Sequence, residues 1–141
     1  YLKVLVEEIH SVVVATVDET GHPHTAVMDM MWEDGKTVYF LTADFKSLYK
    51  RLKEDGRVAV TGMTQGAGTM DRKSISLTGQ VEWIGKEHLE ELLKANPYMY
   101  EIYPTEEGRS HLQVFRFKNA VGNFYDLTQL PPYQARFEIE G

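Results

Sequence analysis

Thr42 and Lys46 stand four residues apart where strand-forming residues give way to helix-forming ones. Their types suit an anion, because a hydroxyl and a cation there flank the start of a helix whose first amides lack intrahelical partners. The strand comes first. Thr37, Val38, Tyr39, Phe40 and Leu41 form a run of β-formers, and Asp34-Gly35 before them is a turn signal. Beyond Thr42-Ala43 the apolar residues Phe45, Leu48, Tyr49 and Leu52 take helical spacing, which predicts a helix over residues 45–54. Asp44 is the expected N-cap. That choice puts Lys46 in the first turn, where a cation opposes the helix dipole by about 0.3–1 kcal/mol and a docked phosphate would offset the cost. Taken alone, the stretch favours a plainer reading, in which Lys46, Lys50 and Lys53 form the solvated face of an amphipathic helix.

The whole chain bounds what such a site could serve. Its 141 residues suit one domain, residues 1–141, with enough apolar content for a normal core. No apolar run is long enough to cross a bilayer, and the opening YLKVLVEEIH carries acidic groups that a signal peptide avoids. The absence of cysteine removes disulfides and thiolate metal sites and is compatible with a reducing compartment, so a cytoplasmic location is expected. A net charge of −6 and a pI near 5.3 argue against nonspecific nucleic-acid binding. A small anionic ligand stays open, since it needs only one or two local cations.

Strands dominate the rest. Residues 1–9 read as the end of a helix with Leu2, Leu5, Val6 and Ile9 on one side. The β-branched run SVVVATVD ends in the turn cluster ETGH and returns as PHTAVMDMMW, a hairpin. Alternation in the return strand puts Ala26, Met28 and Met30 on one face and Val27, Asp29 and Met31 on the other. RVAVTGMT is the next strand, with Gly62 at a bulge or a close approach. Residues 65–71 are too rich in Gly and small residues for packing to order them, so a mobile loop is expected. Residues 72–84 alternate again, with Ile75, Leu77, Gly79, Val81 and Trp83 facing one way and Ser74, Ser76, Thr78, Gln80 and Glu82 the other. A helix over residues 86–95 ends at Asn96-Pro97, an irregular piece follows, and HLQVFRFK with NAVGNFYDL closes the strand series. The tail LPPYQARFEIEG is expected to run over the surface.

About six strands and three helices result, with the strands joined mostly by hairpins. That predicts a mainly β, α+β fold, an antiparallel sheet closed into a small barrel with helices outside. Other chemistry has weaker support. His10, His22, His24, His88 and His111 lack metal-ligand spacing, and no Gly-x-Ser-x-Gly elbow is present. Asp29 is the nearest candidate for acid–base work, although a strand carboxylate paired to a neighbour explains it more simply.

The order of strand, hairpin and strand, then YFLTADFK, VAVTGM and SISLTGQV, resembles the flavin-binding split barrel superfamily related to pyridoxamine 5′-phosphate oxidase. The resemblance covers nearly the whole chain and reverses the preference about Lys46. It implies a six-stranded antiparallel Greek-key split β-barrel, flanking helices, and a homodimer with FMN in a groove between subunits. It also implies that residues 26–31, including Val27, Met28 and Asp29, run along the isoalloxazine ring. Leu41 and Thr42 lie near the phosphate by the same resemblance, Lys46 binds it, and Ser74 faces the flavin. Ala26 stands where many relatives carry a phosphate-binding arginine, a role His24 or a partner-chain cation would take. The tail lacks the Trp and Arg-Leu-x-Pro ending of true pyridoxamine phosphate oxidases, so that substrate is not implied. The implied function is an FMN-dependent oxidoreductase acting on a small molecule or a redox protein. The alternatives are a flavin-binding module without turnover and a related split barrel that binds haem or a deazaflavin.

Overall fold

The computed structural model describes residues 1–140. A π-helical turn over Val4–Ile9 buries Leu5 and Ile9, and β1 (Ser11–Val17) follows, burying Val12, Val14 and Thr16 while Val13 faces out. The hairpin turn closes on Asp18, whose Oδ1 accepts from the amides of Thr20 at 2.9 Å and His22 at 3.0 Å. β2 (Pro23–Asp29) returns antiparallel, with Val12 opposite Met28 and Val14 opposite Ala26. The expected alternation holds here. Ala26, Met28 and Met30 contact the main core, whereas Met31 belongs to a second apolar cluster.

β3 (Trp32–Glu33) and β4 (Val38–Ala43) form the next antiparallel pair, and all six residues of β4 are buried. Val38 and Phe40 enter the main core, and Tyr39 and Leu41 enter the second cluster. A strand covered on both faces needs no polar alternation, which is why VYFL reads as an unbroken run.

The helix that follows is α1 (Ser47–Glu54), and Lys46, in extended backbone, is its N-cap. This corrects the expected Asp44 cap. The Asp44 carboxylate is engaged elsewhere, with Oδ1 2.9 Å from His111 Nδ1 and Oδ2 accepting from Gln113 Nε2 at 3.3 Å. Phe45 therefore precedes the helix and is 67% exposed, while Leu48 and Leu52 carry the buried face.

β5 (Arg57–Met63) and β6 (Lys73–Gly85) pair antiparallel without a bulge. Gly62 is the close approach: a Cβ there would lie 2.7 Å from Ile9 Cγ2 and 2.8 Å from Val12 Cγ1. The loop between the two strands contains a 3₁₀ turn, Thr69–Asp71, and Arg72 Nη2 donates back to the Gly66 carbonyl at 3.4 Å. α2 (Leu89–Ala95) starts later than the expected residue 86, and the stretch read as irregular contains α3 (Met99–Ile102) and α4 (Glu106–Arg109). β7 (Leu112–Asp126) runs along β6; its other edge pairs with β4 through its first residues and with β8 (Tyr133–Glu140) through the rest.

β8 overturns the expected surface tail. Behind the two prolines, Ala135, Phe137 and Ile139 alternate toward the core, Ile139 is fully buried, and Gly122 of β7 leaves the room that the Phe137 ring occupies. The described residues thus form eight strands rather than six, in one antiparallel sheet ordered β2-β1-β5-β6-β7-β4-β3 with β8 added to β7. The sheet curls into a half-barrel. Register shifts in the β6–β7 ladder at Gln80/Val81 and Trp83/Gly85 bend it. Trp83, expected to face inward, is 45% exposed, and its indole donates to Gln113 Oε1 at 2.9 Å.

The two ends of the sheet meet at one corner. Met30 N donates to the His10 carbonyl at 2.7 Å beside β1, and the next amide, Met31 N, donates to the Tyr39 carbonyl of β4 at 3.0 Å. Asn96 fixes the helices to the same corner, since its Nδ2 donates to the carbonyls of Leu92 and Met31, both at 2.8 Å. Among the described residues no helix is long and apolar enough to cross a membrane.

Candidate functional site

A groove of about 330 Å³ opens at that corner. Four consecutive residues of β2, Ala26 to Asp29, line one side, as they must when the strand's free edge rather than one of its faces borders the space. The opposite side is the end of β4, Leu41, Thr42 and Ala43, continuing to Lys46 and Leu48. Met99, Ile102 and Tyr103 of the α3 region close the third side, and Met31 lies at the base.

Position and burial divide the roles. Thr42 is 4% exposed and held by the β4–β7 ladder, so the strand end cannot shift without opening the core. Lys46 is exposed and is the one basic residue lining the groove among the described residues. Beside it, α1 begins with no side-chain cap and no acidic residue in its first turn, although Arg51 and Lys53 occupy the last. Such a helix start leaves donors and a positive dipole end for an anion.

Asp29 sits at the other polar position. Its Oδ1 accepts from Ser11 Oγ and its Oδ2 from Tyr98 Oη, both at 2.6 Å, and His10 Nε2 lies 3.5 Å from the same Oδ2. Burial pushes the Asp29 carboxyl up, but the hydrogen bonds from Ser11 and Tyr98 and the nearby His10 charge outweigh it and hold the group below the ordinary carboxylate range. Tyr98 moves the other way. Burial, then the hydrogen bond to Asp29 and its charge, raise the phenol above its usual value.

Of the residues singled out in sequence, the groove gathers Val27, Met28, Asp29, Leu41, Thr42 and Lys46. His24 and Ser74 are not among its lining. His24 Nε2 is 2.8 Å from Asp18 Oδ2 in the hairpin turn, and Ser74, paired with Met63 and Tyr125, is separated from β2 by β1 and β5. Tyr98, Met99, Ile102 and Tyr103 escaped the sequence reading because they lie in a stretch without periodicity. The one available signal was Asp29 itself, a carboxylate among methionines that needed partners. Among the described residues no cluster of three or more His, Asp or Glu side chains could hold a metal ion.

Similarity to known proteins follows the same architecture. In solved structures, a NimC/NimA family protein from Clostridium acetobutylicum superposes with a TM-score of 0.77 at 20% identity, covering 99% of this chain and 94% of its own. A heme binding protein from Mycobacterium smegmatis gives 0.71 at 13% identity, covering 95% of this chain and 55% of its own. A pyridoxamine 5′-phosphate oxidase-related, FMN-binding protein from Nostoc punctiforme gives 0.61 at 11% identity, covering 94% and 88%. At such identities these likenesses establish the fold. No curated protein matches the chain. The family model for pyridoxamine 5′-phosphate oxidase, however, matches residues 2–125, nearly the whole length. The chain belongs to the pyridoxamine 5′-phosphate oxidase family.

Proposed function

We propose that the groove binds FMN, with the phosphate at the start of α1 and the ring along the free edge of β2, and that the protein is a flavin-dependent oxidoreductase. The observation that carries this reading is the uncapped α1 start, with Lys46 and Thr42 beside it, at one end of a groove whose other lining is mostly apolar apart from Asp29 and the edge of β2. The residues present fit the cofactor: a cation and free helix amides for a phosphate, backbone donors and acceptors for a ring edge, and Met28 and Met31 for its face. Bound there, FMN would supply hydride or electron transfer, while the protein orients it and sets its electrostatics. The acceptor or donor would be a small molecule or a redox protein. The family's FMN-binding member from Nostoc punctiforme supports this reading.

The outer sheet face supports a second copy as partner. Val13, Val27, Met63 and Tyr125 are exposed on it, with Ser74 between Met63 and Tyr125, so a homodimer packed on this face would cover both the apolar residues and Ser74. Sedimentation giving a dimer agrees with this, and a stable 16 kDa monomer at full FMN occupancy refutes it.

The likeness to the Mycobacterium smegmatis heme binding protein favours one competing reading, haem in place of FMN. Absorption spectra after separate incubation with FMN and with haemin, followed by gel filtration, decide between them. Retained flavin bands that bleach on adding NADH or NADPH support the oxidoreductase. A retained Soret band without flavin binding refutes it in favour of haem.

A further inference from the structure

Asp29 opens on the groove, but its hydrogen-bond chain leads elsewhere. Tyr98 Oη, 2.6 Å from Asp29 Oδ2, is also 2.8 Å from His10 Nε2, and His10 Nδ1 lies 3.0 Å from the Val6 carbonyl. His10 in turn lines a second cleft of about 420 Å³ between the N-terminal turn and α2, and Met31, 5% exposed, is the wall the two spaces share. The chain of three side chains therefore runs around an apolar partition.

Counting hydrogens shows what this chain holds. The Val6 carbonyl can only accept, so Nδ1 carries a proton; an ionised Asp29 can only accept, so the Tyr98 hydrogen points to it. The remaining gap, Nε2 to Oη, is then filled only if Nε2 carries a proton as well. The geometry thus needs one proton more than an ionised carboxylate and a neutral imidazole bring. That proton has two places. In one state His10 is an imidazolium beside the Asp29 carboxylate; in the other, Nε2 has passed its proton to Tyr98 Oη while Oη passed its own to Asp29 Oδ2, leaving a neutral imidazole and a carboxylic acid. Both states hold the same number of hydrogens and fill every gap.

We propose that His10, Tyr98 and Asp29 form a proton relay that delivers the proton held on His10 to the ligand groove, with Asp29 as the donor facing the groove and Tyr98 and His10 acting through it. The surroundings suit the charge. The charged groups facing His10 are Asp29 from β2, Glu7 from its own turn and Glu33 from β3, all acidic, and Tyr98 is its titratable neighbour from the entrance of α3. The held-down ionisation of Asp29 and the raised phenol of Tyr98 agree with a carboxylate that accepts the Tyr98 hydrogen. The backbone points the same way. His10 ends the π-helical turn with φ 61° and ψ −66°, a strained conformation for a side chain with a Cβ, and its ring is held where an ordinary helix exit would not put it.

What the relay serves rests on the proposed flavin reading; that it exists does not. The first test therefore uses the protein without ligand. Long-range ¹H–¹⁵N spectra should show a hydrogen on both His10 nitrogens in the wild type and on one in Tyr98→Phe. A single tautomer in the wild type, or identical spectra in the two proteins, overturns the relay. The second test uses FMN as probe. After flash photoreduction of the bound flavin with a sacrificial electron donor such as EDTA, proton uptake from an indicator dye should slow in Tyr98→Phe on the order of tenfold or more. Equal uptake rates overturn the proposed use of the relay. Failure of FMN to bind would sink the flavin reading and leave the relay to the spectra.

Discussion

Replacing Lys46 by alanine tests the site where its geometry is most specific. Lys46 is exposed, so a phosphate charge about 4 Å from its ammonium would be worth ~1 kcal/mol in a water-like medium and ~4 kcal/mol at the dielectric typical of a protein surface. A charge-assisted hydrogen bond, net of lost hydration, contributes about 1.5–3 kcal/mol, which falls between those limits. No second basic residue lines the groove among the described residues to compensate, and Ala26 offers no cation from β2. Lys46→Ala should therefore weaken FMN binding roughly ten- to a hundred-fold. Lys50→Ala is the control, because Lys50 is exposed on α1 and outside the groove lining. Lys53 serves less well, since its ammonium lies 4.4 Å from the Trp83 ring centre and its removal would disturb that packing. Titration of FMN fluorescence gives the constants, and repeating it at high salt should shrink the Lys46 effect as the charge is screened. Equal constants for the two variants would refute the reasoning and send the phosphate elsewhere.

Three further outcomes are expected. Phe40→Ala removes a ring that is 1% exposed and stacks on Phe115 at 5.7 Å, so urea unfolding should show a loss of about 3–5 kcal/mol; a loss under about 1 kcal/mol would mean the core collapses into the gap. Gly62→Ala must push aside Ile9 and Val12 and should destabilise by about 1–3 kcal/mol, whereas unchanged stability would show that the N-terminal turn yields freely. Because the folded Asp29 carboxyl ionises below its ordinary value of 3.8, the unfolded chain binds more protons as the pH falls. Asp29 therefore stabilises the fold above about pH 4, and that contribution is lost as the pH drops through the lower folded value. Urea midpoints from pH 5 down to pH 2 should fall more steeply in the wild type than in Asp29→Asn, and parallel profiles would contradict the ion's role.

Periodic residues told most of this fold in advance, and they did so where one face alone is buried. SVVVATV and PHTAVMD alternate, so their hairpin and inner face were legible, whereas Val27, Met28 and Asp29 were placed at a ligand only through the family resemblance. Asp44 misled because a carboxylate before a helix resembles a cap. Its real partners, His111 and Gln113, lie almost seventy residues away, and local spacing carries no trace of them. Residues 133–140 were hidden by Pro131 and Pro132, which resemble a loop, although Ala135, Phe137 and Ile139 keep strand alternation behind them. Tyr98 and His10 were illegible for a further reason. Each is an ordinary polar residue at an element's end, and only the corner of the sheet brings both within hydrogen-bond reach of the same region.

That corner explains why the candidate site falls where it does. β2 and β4 are far apart along the sheet, with four strands between them, yet they form the two long sides of the groove. They face each other because the sheet curls, and the curl is held by consecutive amides, Met30 on the β1 side and Met31 on the β4 side. Among the described residues β2 has no strand partner on its groove edge, so its polar backbone is available to a ligand, whereas β4 is covered on both faces and serves as a fixed post. Asn96 ties α2 to Met31, which sets the third side against the same two amides. Groove width is therefore coupled to the integrity of one hydrogen-bonded corner. Loss of the Asn96 amide would leave the buried Met31 and Leu92 carbonyls without that donor, and the resulting strain would act on Met31, the residue that also separates the groove from the second cleft.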